Sequence, residues 1–86
     1  MSVNFSDEGF KEYIEWQNED RKTLKKINKL IFSIKRDGLL NGIGKPEKLK
    51  HLNGYSRRID DDNRLMYDED GDNGFIITSC KGHYEE

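Results

Sequence analysis

Eighty-six residues, with 15 Lys+Arg against 17 Asp+Glu and a net charge of −2, leave room for one domain and no more. Hydrophobic residues make up 33% of the chain and mean hydropathy is −1.02, with no apolar run longer than Leu30-Ile31-Phe32 or Phe75-Ile76-Ile77, so a membrane-spanning helix and a secretory signal are excluded. The single cysteine, Cys80, excludes an internal disulfide framework and fits a reducing, cytoplasmic setting.

Val3 to Phe5 alternates apolar and polar residues and predicts a short strand. Ser6 ahead of Asp7 and Glu8 reads as a helix N-cap, with acids in the first turn where the helix dipole favours them. Phe10, Tyr13, Ile14 and Gln17 then recur at helical spacing. Asp20 closes this helix and caps a second, in which Leu24, Ile27, Ile31 and Ile34 form an apolar stripe opposite Lys22, Lys25, Lys26, Lys29 and Arg36. Gly38 ends that helix, and residues 38–47, holding the only proline, Pro46, read as loop. Asn53-Gly54 marks a turn. Tyr55 to Ile59, Arg64 to Tyr67 and Phe75 to Cys80 follow as three strands joined by short acidic loops, which implies an antiparallel meander. The expected fold is a single α+β domain over residues 1–86, with two N-terminal helices on one face of a four-stranded antiparallel sheet.

The charge is unevenly spread along the chain. Residues 1–20 carry −5, residues 21–58 carry +10, and residues 59–86 carry −7. A block of +10 is a local field that a polyanion would meet, although a solvated basic face balanced by acidic ends explains it as well. Like charges stacked on the second helix weaken it slightly, so a polyanionic partner is one explanation for them and a soluble face another.

Several motifs fail on inspection. Gly42-Ile-Gly-Lys45 lacks the glycine of a phosphate loop, because Leu39 stands there, and Pro46 replaces the required Ser or Thr. Asp68, Asp70 and Asp72 have calcium-loop spacing, but Asn73 stands in the glycine position and Ser79 in that of the closing glutamate. Cys80, His83 and His51 match no zinc spacing, so no metal and no cofactor are expected.

What remains suits RNA cleavage without a metal. Attack by a neighbouring 2′-OH needs a base, cations for the charge building on phosphorus, and an acid for the departing oxygen. Glu47 is set among Lys45, Lys48 and Lys50, while Arg58 ends one predicted strand and Arg64 begins its partner. Arginine suits bidentate contact with a phosphoryl group. His83 follows the last strand with a titration range near neutrality, and Tyr84 offers a stacking surface. Each residue also has a plain reading, as a surface ion pair, a sheet-face salt bridge or a solvated tail histidine.

The segments Tyr13-Ile-Glu-Trp-Gln, Lys25-Lys-Ile-Asn-Lys-Leu-Ile, Gly42-Ile-Gly-Lys-Pro-Glu-Lys-Leu-Lys-His51, Ser56-Arg-Arg-Ile, Asn63-Arg-Leu-Met-Tyr67 and His83-Tyr84 together resemble the YoeB toxins of the RelE/ParE superfamily over nearly the whole chain. The resemblance implies a RelE-like fold with a curved sheet. It also implies a ribosome-dependent mRNA interferase, an endoribonuclease that cuts mRNA in the ribosomal A site and so inhibits translation. Its implied partners are a YefM-like antitoxin, the ribosome with its mRNA, a second copy in a homodimer, and operator DNA only through the antitoxin complex. Carried over by position, Glu47 is the general base, His83 the general acid and Arg64 the stabiliser of the transition state. Lys50 and Arg58 assist, and Tyr84 helps to place the substrate. Lys22, Lys25, Lys26 and Lys29 would face ribosomal RNA or antitoxin carboxylates. The chain departs from the family pattern in a shorter segment between Lys50 and Ser56, in Tyr55 where a tryptophan is usual, in Asn63 where histidine is common, and in Glu85-Glu86 after the terminal His-Tyr. The competing class is a silent binding module of the same fold, acting through antitoxin, DNA or ribosome.

Overall fold

In the computed structural model of the chain, which describes residues 1–82, the local signals at the helix starts are met by side chains. Ser6 Oγ accepts from the backbone N–H of Gly9 and starts α1 (Asp7–Glu19). Asp20 accepts from the N–H groups of Lys22 and Thr23 and from the Thr23 hydroxyl, starting α2 (Arg21–Asp37), which ends at Gly38 with φ 95°. Around the helices run β1 (Ser2–Phe5), β2 (Glu47–Lys48), β3 (Tyr55–Arg58), β4 (Arg64–Glu69) and β5 (Gly74–Ser79).

Among the described residues the sheet has five strands in the order β1-β5-β4-β3-β2, not four. The added strand is β2, whose two residues are too few for alternation to register in the sequence; Glu47 therefore lies on a strand and not in the loop. Nor is the sheet antiparallel throughout, because β1 pairs parallel with β5, Val3 opposite Phe75. After β1 the chain crosses one face as two helices and re-enters at the far edge, so the meander returns to β1 running in its direction.

The core lies between the helices and that face. Ile27, Leu30 and Ile34 from α2 meet Leu65, Phe75 and Ile77 from the sheet, all fully buried, with Tyr55 and Tyr67 stacked beside them at 5.7 Å. Burial of this kind stabilises by roughly 1.5–3 kcal/mol per large side chain. The face of α1 differs from the expected one. Gly9, Tyr13 and Trp16 turn inward, whereas Phe10 is 53% and Ile14 39% exposed. The cause is close approach: a Cβ on Gly9 would collide with the Ile77 carbonyl, so the helix meets the sheet at its smallest residue. Phe32 is exposed on α2.

Candidate active site

Opposing residues on adjacent strands share a face, so register decides which charges meet. Glu47 pairs with Ser56, Ser56 with Met66, and Arg58 with Arg64. These side chains occupy the sheet face away from the helices. There the buried Ser56 hydroxyl donates to Glu47 Oε1 at 3.3 Å and accepts from Arg64 Nε at 3.2 Å and Nη2 at 3.0 Å. Arg64 Nη2 also reaches Glu47 Oε1 directly, at 3.1 Å. A carboxylate, a hydroxyl and a guanidinium thus form one connected group. Ser56 is a member of this group that sequence reasoning did not single out; its parity with Arg58 on β3 was the available signal.

Arg58 stands opposite Arg64 in the register, as expected, but its guanidinium engages Asp61 in the turn that follows. Lys50 is exposed and borders a polar depression with Lys48, His51 and Asn53, three residues beyond Glu47 in the chain. His83 and Tyr84 lie outside the described residues. The segment just before them is firmly held. Glu12 Oε1 accepts from the Ser79 hydroxyl and from the backbone N–H groups of Cys80 and Lys81, at 2.7–3.0 Å. Trp16 Nε1 donates to the Cys80 carbonyl, and Lys81 sits over the Trp16 ring and pairs with Glu19 and Glu15. Hydrogen bonding to Glu19 raises the Lys81 pKa above its ordinary value. At the turn before β4, Gly82 N–H donates to Asn63 Oδ1 and its carbonyl accepts from Arg64 N–H. The chain leading to His83 therefore starts beside Arg64.

Two groups of cations are not where a common RNA surface would need them. Lys22, Lys25, Lys26 and Lys29 belong to α2, across the sheet from Glu47 and Arg64; Lys22 and Lys26 flank a small depression with Ile59 and Asp60. Arg57, counted in the basic block, is fully buried on the helix side. Its five N–H donors bond the Tyr67 hydroxyl, Ser33 Oγ and the carbonyls of Gly38, Asn41 and Ile43. It ties the glycine-rich loop to the sheet, and that loop ends at Glu47. Gly42 and Gly44 have φ of 104° and 86°, and a Cβ at either would strike what the loop packs on, Ser33 and Asp37 for one, Leu30 for the other. Lys45 takes the left-handed φ of 51°, a strained conformation for a residue with a side chain.

Other shifted groups are structural. Burial raises the Tyr67 hydroxyl pKa despite the opposing Arg57 charge, so it stays protonated and donates to the Leu39 carbonyl. Burial, aided by Glu12, pushes the Cys80 thiol up to about 12. Among the described residues no three His, Cys, Asp or Glu side chains gather as a metal site. None of the described helices is long and apolar enough to cross a membrane.

Residues 5–84 match the family model of the YoeB-like toxin of bacterial type II toxin-antitoxin systems. The chain is 45% identical to a YoeB toxin of Streptomyces coelicolor, covering 98% of this chain and all of that one. It superposes on the structure of a YoeB dimer from Staphylococcus aureus with a TM-score of 0.88 and 51% identity, over 98% of each chain. A heterotetrameric YoeB–YefM toxin-antitoxin complex from the same organism gives a TM-score of 0.86 and 52% identity, again over 98% of each. Its two helices on a sheet and a family match spanning nearly the whole sequence agree: the chain belongs to the YoeB-like toxins of bacterial type II toxin-antitoxin systems.

Proposed function

We propose that this toxin is a ribosome-dependent endoribonuclease that cuts mRNA in the ribosomal A site by acid-base chemistry and so halts translation. The observation that carries the reading is the Glu47–Ser56–Arg64 group, in which an exposed Glu47 and a half-buried Arg64 meet over a buried Ser56 on the sheet face that the helices leave bare. In the free protein Arg64 and Ser56 both hold Glu47 Oε1. When a phosphate docks, the Arg64 N–H groups turn to its oxygens, a bidentate contact that strengthens as charge builds on phosphorus. That turn frees Glu47 Oε1 to take the proton of the 2′-OH. The 2′-oxygen bonds to phosphorus, the bond to the 5′-oxygen breaks, and His83 gives that oxygen a proton, leaving a cyclic 2′,3′-phosphate. Arg58 and Lys50 supply further positive charge, and Tyr84 places the substrate. Lys22, Lys25, Lys26 and Lys29, on the other side of the molecule, contact ribosomal RNA or the carboxylates of a YefM-like antitoxin. Dimerisation and antitoxin binding are read from the relatives, with operator DNA bound only through the antitoxin complex.

Primer extension on ribosome-bound mRNA tests this. Wild type is expected to cut in the A site with EDTA present, and to cut free RNA far more slowly. His83→Ala and Glu47→Gln are each expected to lose at least about a hundredfold in rate, and a 2′-deoxy substitution at the scissile nucleotide to abolish cutting. Translation arrest that persists undiminished in Glu47→Gln would instead favour a silent binding module.

A further inference from the structure

Beside Glu47, Ser56 and Arg64, the same sheet face holds a half-open depression of about 280 Å³. Leu49, Leu52 and Met66 wall it with apolar surface, and Asn53, Asp68 and Thr78 bring polar groups to it. Its place relative to the reacting group follows from register. Met66 stands opposite Ser56 and two residues along β4 from Arg64, so the two Cα atoms are roughly 7 Å apart at the rise of a strand. A single nucleotide spans such a gap. Lys48 and Lys50 border the adjoining polar depression, which shares Leu49, Leu52, Asn53 and Asp68.

The lining says which part of a nucleotide fits. A phosphate is disfavoured, because an acid, Asp68, lines the space and the walls are apolar, while the lysines lie just outside; Asp68 Oδ1 accepts from the Glu69 N–H, which leaves Oδ2 for a ligand. A planar base suits it: single-stranded RNA is read by splaying bases onto apolar or aromatic side chains and bonding their edges. Asp68 only accepts, so it favours a base that presents an N–H donor unflanked by carbonyls. Adenine and cytosine do so with their exocyclic amines, and guanine offers its amine beside N1–H as a two-donor edge, whereas the N3–H of uracil lies between two carbonyl oxygens that a carboxylate repels. Resting on the ribonuclease reading above, we propose that this depression seats the base of a nucleotide adjacent to the scissile phosphate, and that Asp68 selects an amine-bearing base over uracil.

Two measurements test this and separate it from that reading. In the first, methyl spectra of the full chain are followed as AMP, CMP or UMP is added. AMP and CMP at millimolar levels are expected to shift the methyls of Leu49, Leu52 and Met66, UMP to shift them less than a third as far, and Asp68→Asn to remove the difference. Equal shifts from all three nucleotides, or shifts confined to methyls elsewhere, overturn the proposal. The second is cleavage on ribosomes of mRNAs that differ only at the bases flanking the cut. Wild type is expected to prefer an amine-bearing base over uracil by about tenfold, the scale of one edge contact, and Asp68→Asn to narrow this below threefold. A wild type that cuts with the same base profile as Asp68→Asn overturns the pocket alone. A wild type that cuts nothing overturns the ribonuclease reading, and the nucleotide titration still decides the pocket. If Leu52→Arg changes the sedimentation of the protein but not its base profile, the face joins copies of the chain and the proposal fails.

Discussion

A guanidinium leaves water only where each of its N–H groups finds an acceptor, and Arg57 has done so without a direct carboxylate partner. Three of its acceptors are carbonyls of the 38–46 loop, a segment with little regular structure to satisfy them. Lysine brings three donors where five are used, so Arg57→Lys strands at least two buried acceptors. The expected cost is on the order of 2–4 kcal/mol in urea unfolding. Because that loop delivers Glu47, kcat should fall more than tenfold with KM little changed; a stability loss with kcat intact would reduce Arg57 to a purely structural anchor. Its inward position was legible. Tyr55, Arg57 and Ile59 share one parity along β3 and its extension, and the two neighbours are core residues. The charge masked that signal, since arginine in a strand is ordinarily a surface residue. Ser56 was masked for the opposite reason: a small hydroxyl residue means nothing until register sets it between Glu47 and Arg64.

At the scale of elements, one carboxylate oxygen gathers three of the hydrogen bonds that join α1 to the end of β5. Glu12 Oε1 takes two consecutive backbone N–H groups and a hydroxyl. Glu12→Ala leaves those donors without a partner and is expected to destabilise by about 2 kcal/mol, whereas Glu12→Gln, which keeps the acceptor, should recover most of that loss in the same urea titration. Cleavage should follow the same order, because the segment so held leads to His83. Equal stability of the alanine and glutamine variants would show that the contact contributes little. The elements themselves were largely visible in the sequence. Ser6, Asp20 and Gly38 sit at the helix ends they signalled, and the three-strand meander runs within a residue or two of its expected bounds. What was hidden depends on tertiary contact. The inward face of α1 is set by Gly9 meeting the Ile77 carbonyl, and β2 exists only because Glu47 and Lys48 find β3.

For the whole molecule, the division of charge matters more than its sum. The +10 block does not form one surface: the lysines of α2 lie across the sheet from Glu47, and Arg57 is inside. Free RNA therefore meets only part of it, and binding of free RNA is expected to be weak and salt-sensitive. The acids carry a pH dependence. Hydrogen bonds from Thr23 hold Asp20, and those from Arg36 hold Asp37, below the usual carboxylate range. Both bind protons more weakly folded than unfolded, so their stabilisation is complete above about pH 4 and is lost as pH falls through the folded values. Replacing both with Asn should make stability, followed by circular dichroism, decline less between neutral pH and pH 3; an unchanged slope would assign acid sensitivity to other groups.

The parallel pairing of Val3 with Phe75 has a consequence for when the protein comes into being. The first strand made is completed by the last, and Phe75 and Ile77, both fully buried, form part of the floor on which α2 rests. Contacts between such distant parts of a chain form late, because the intervening loop must be closed before they repay it. A growing polypeptide thus carries Glu47 and Arg64 for some time without a sheet able to hold them. The helices gain their full floor, and the Glu47–Ser56–Arg64 group its finished sheet, only once β5 has been added.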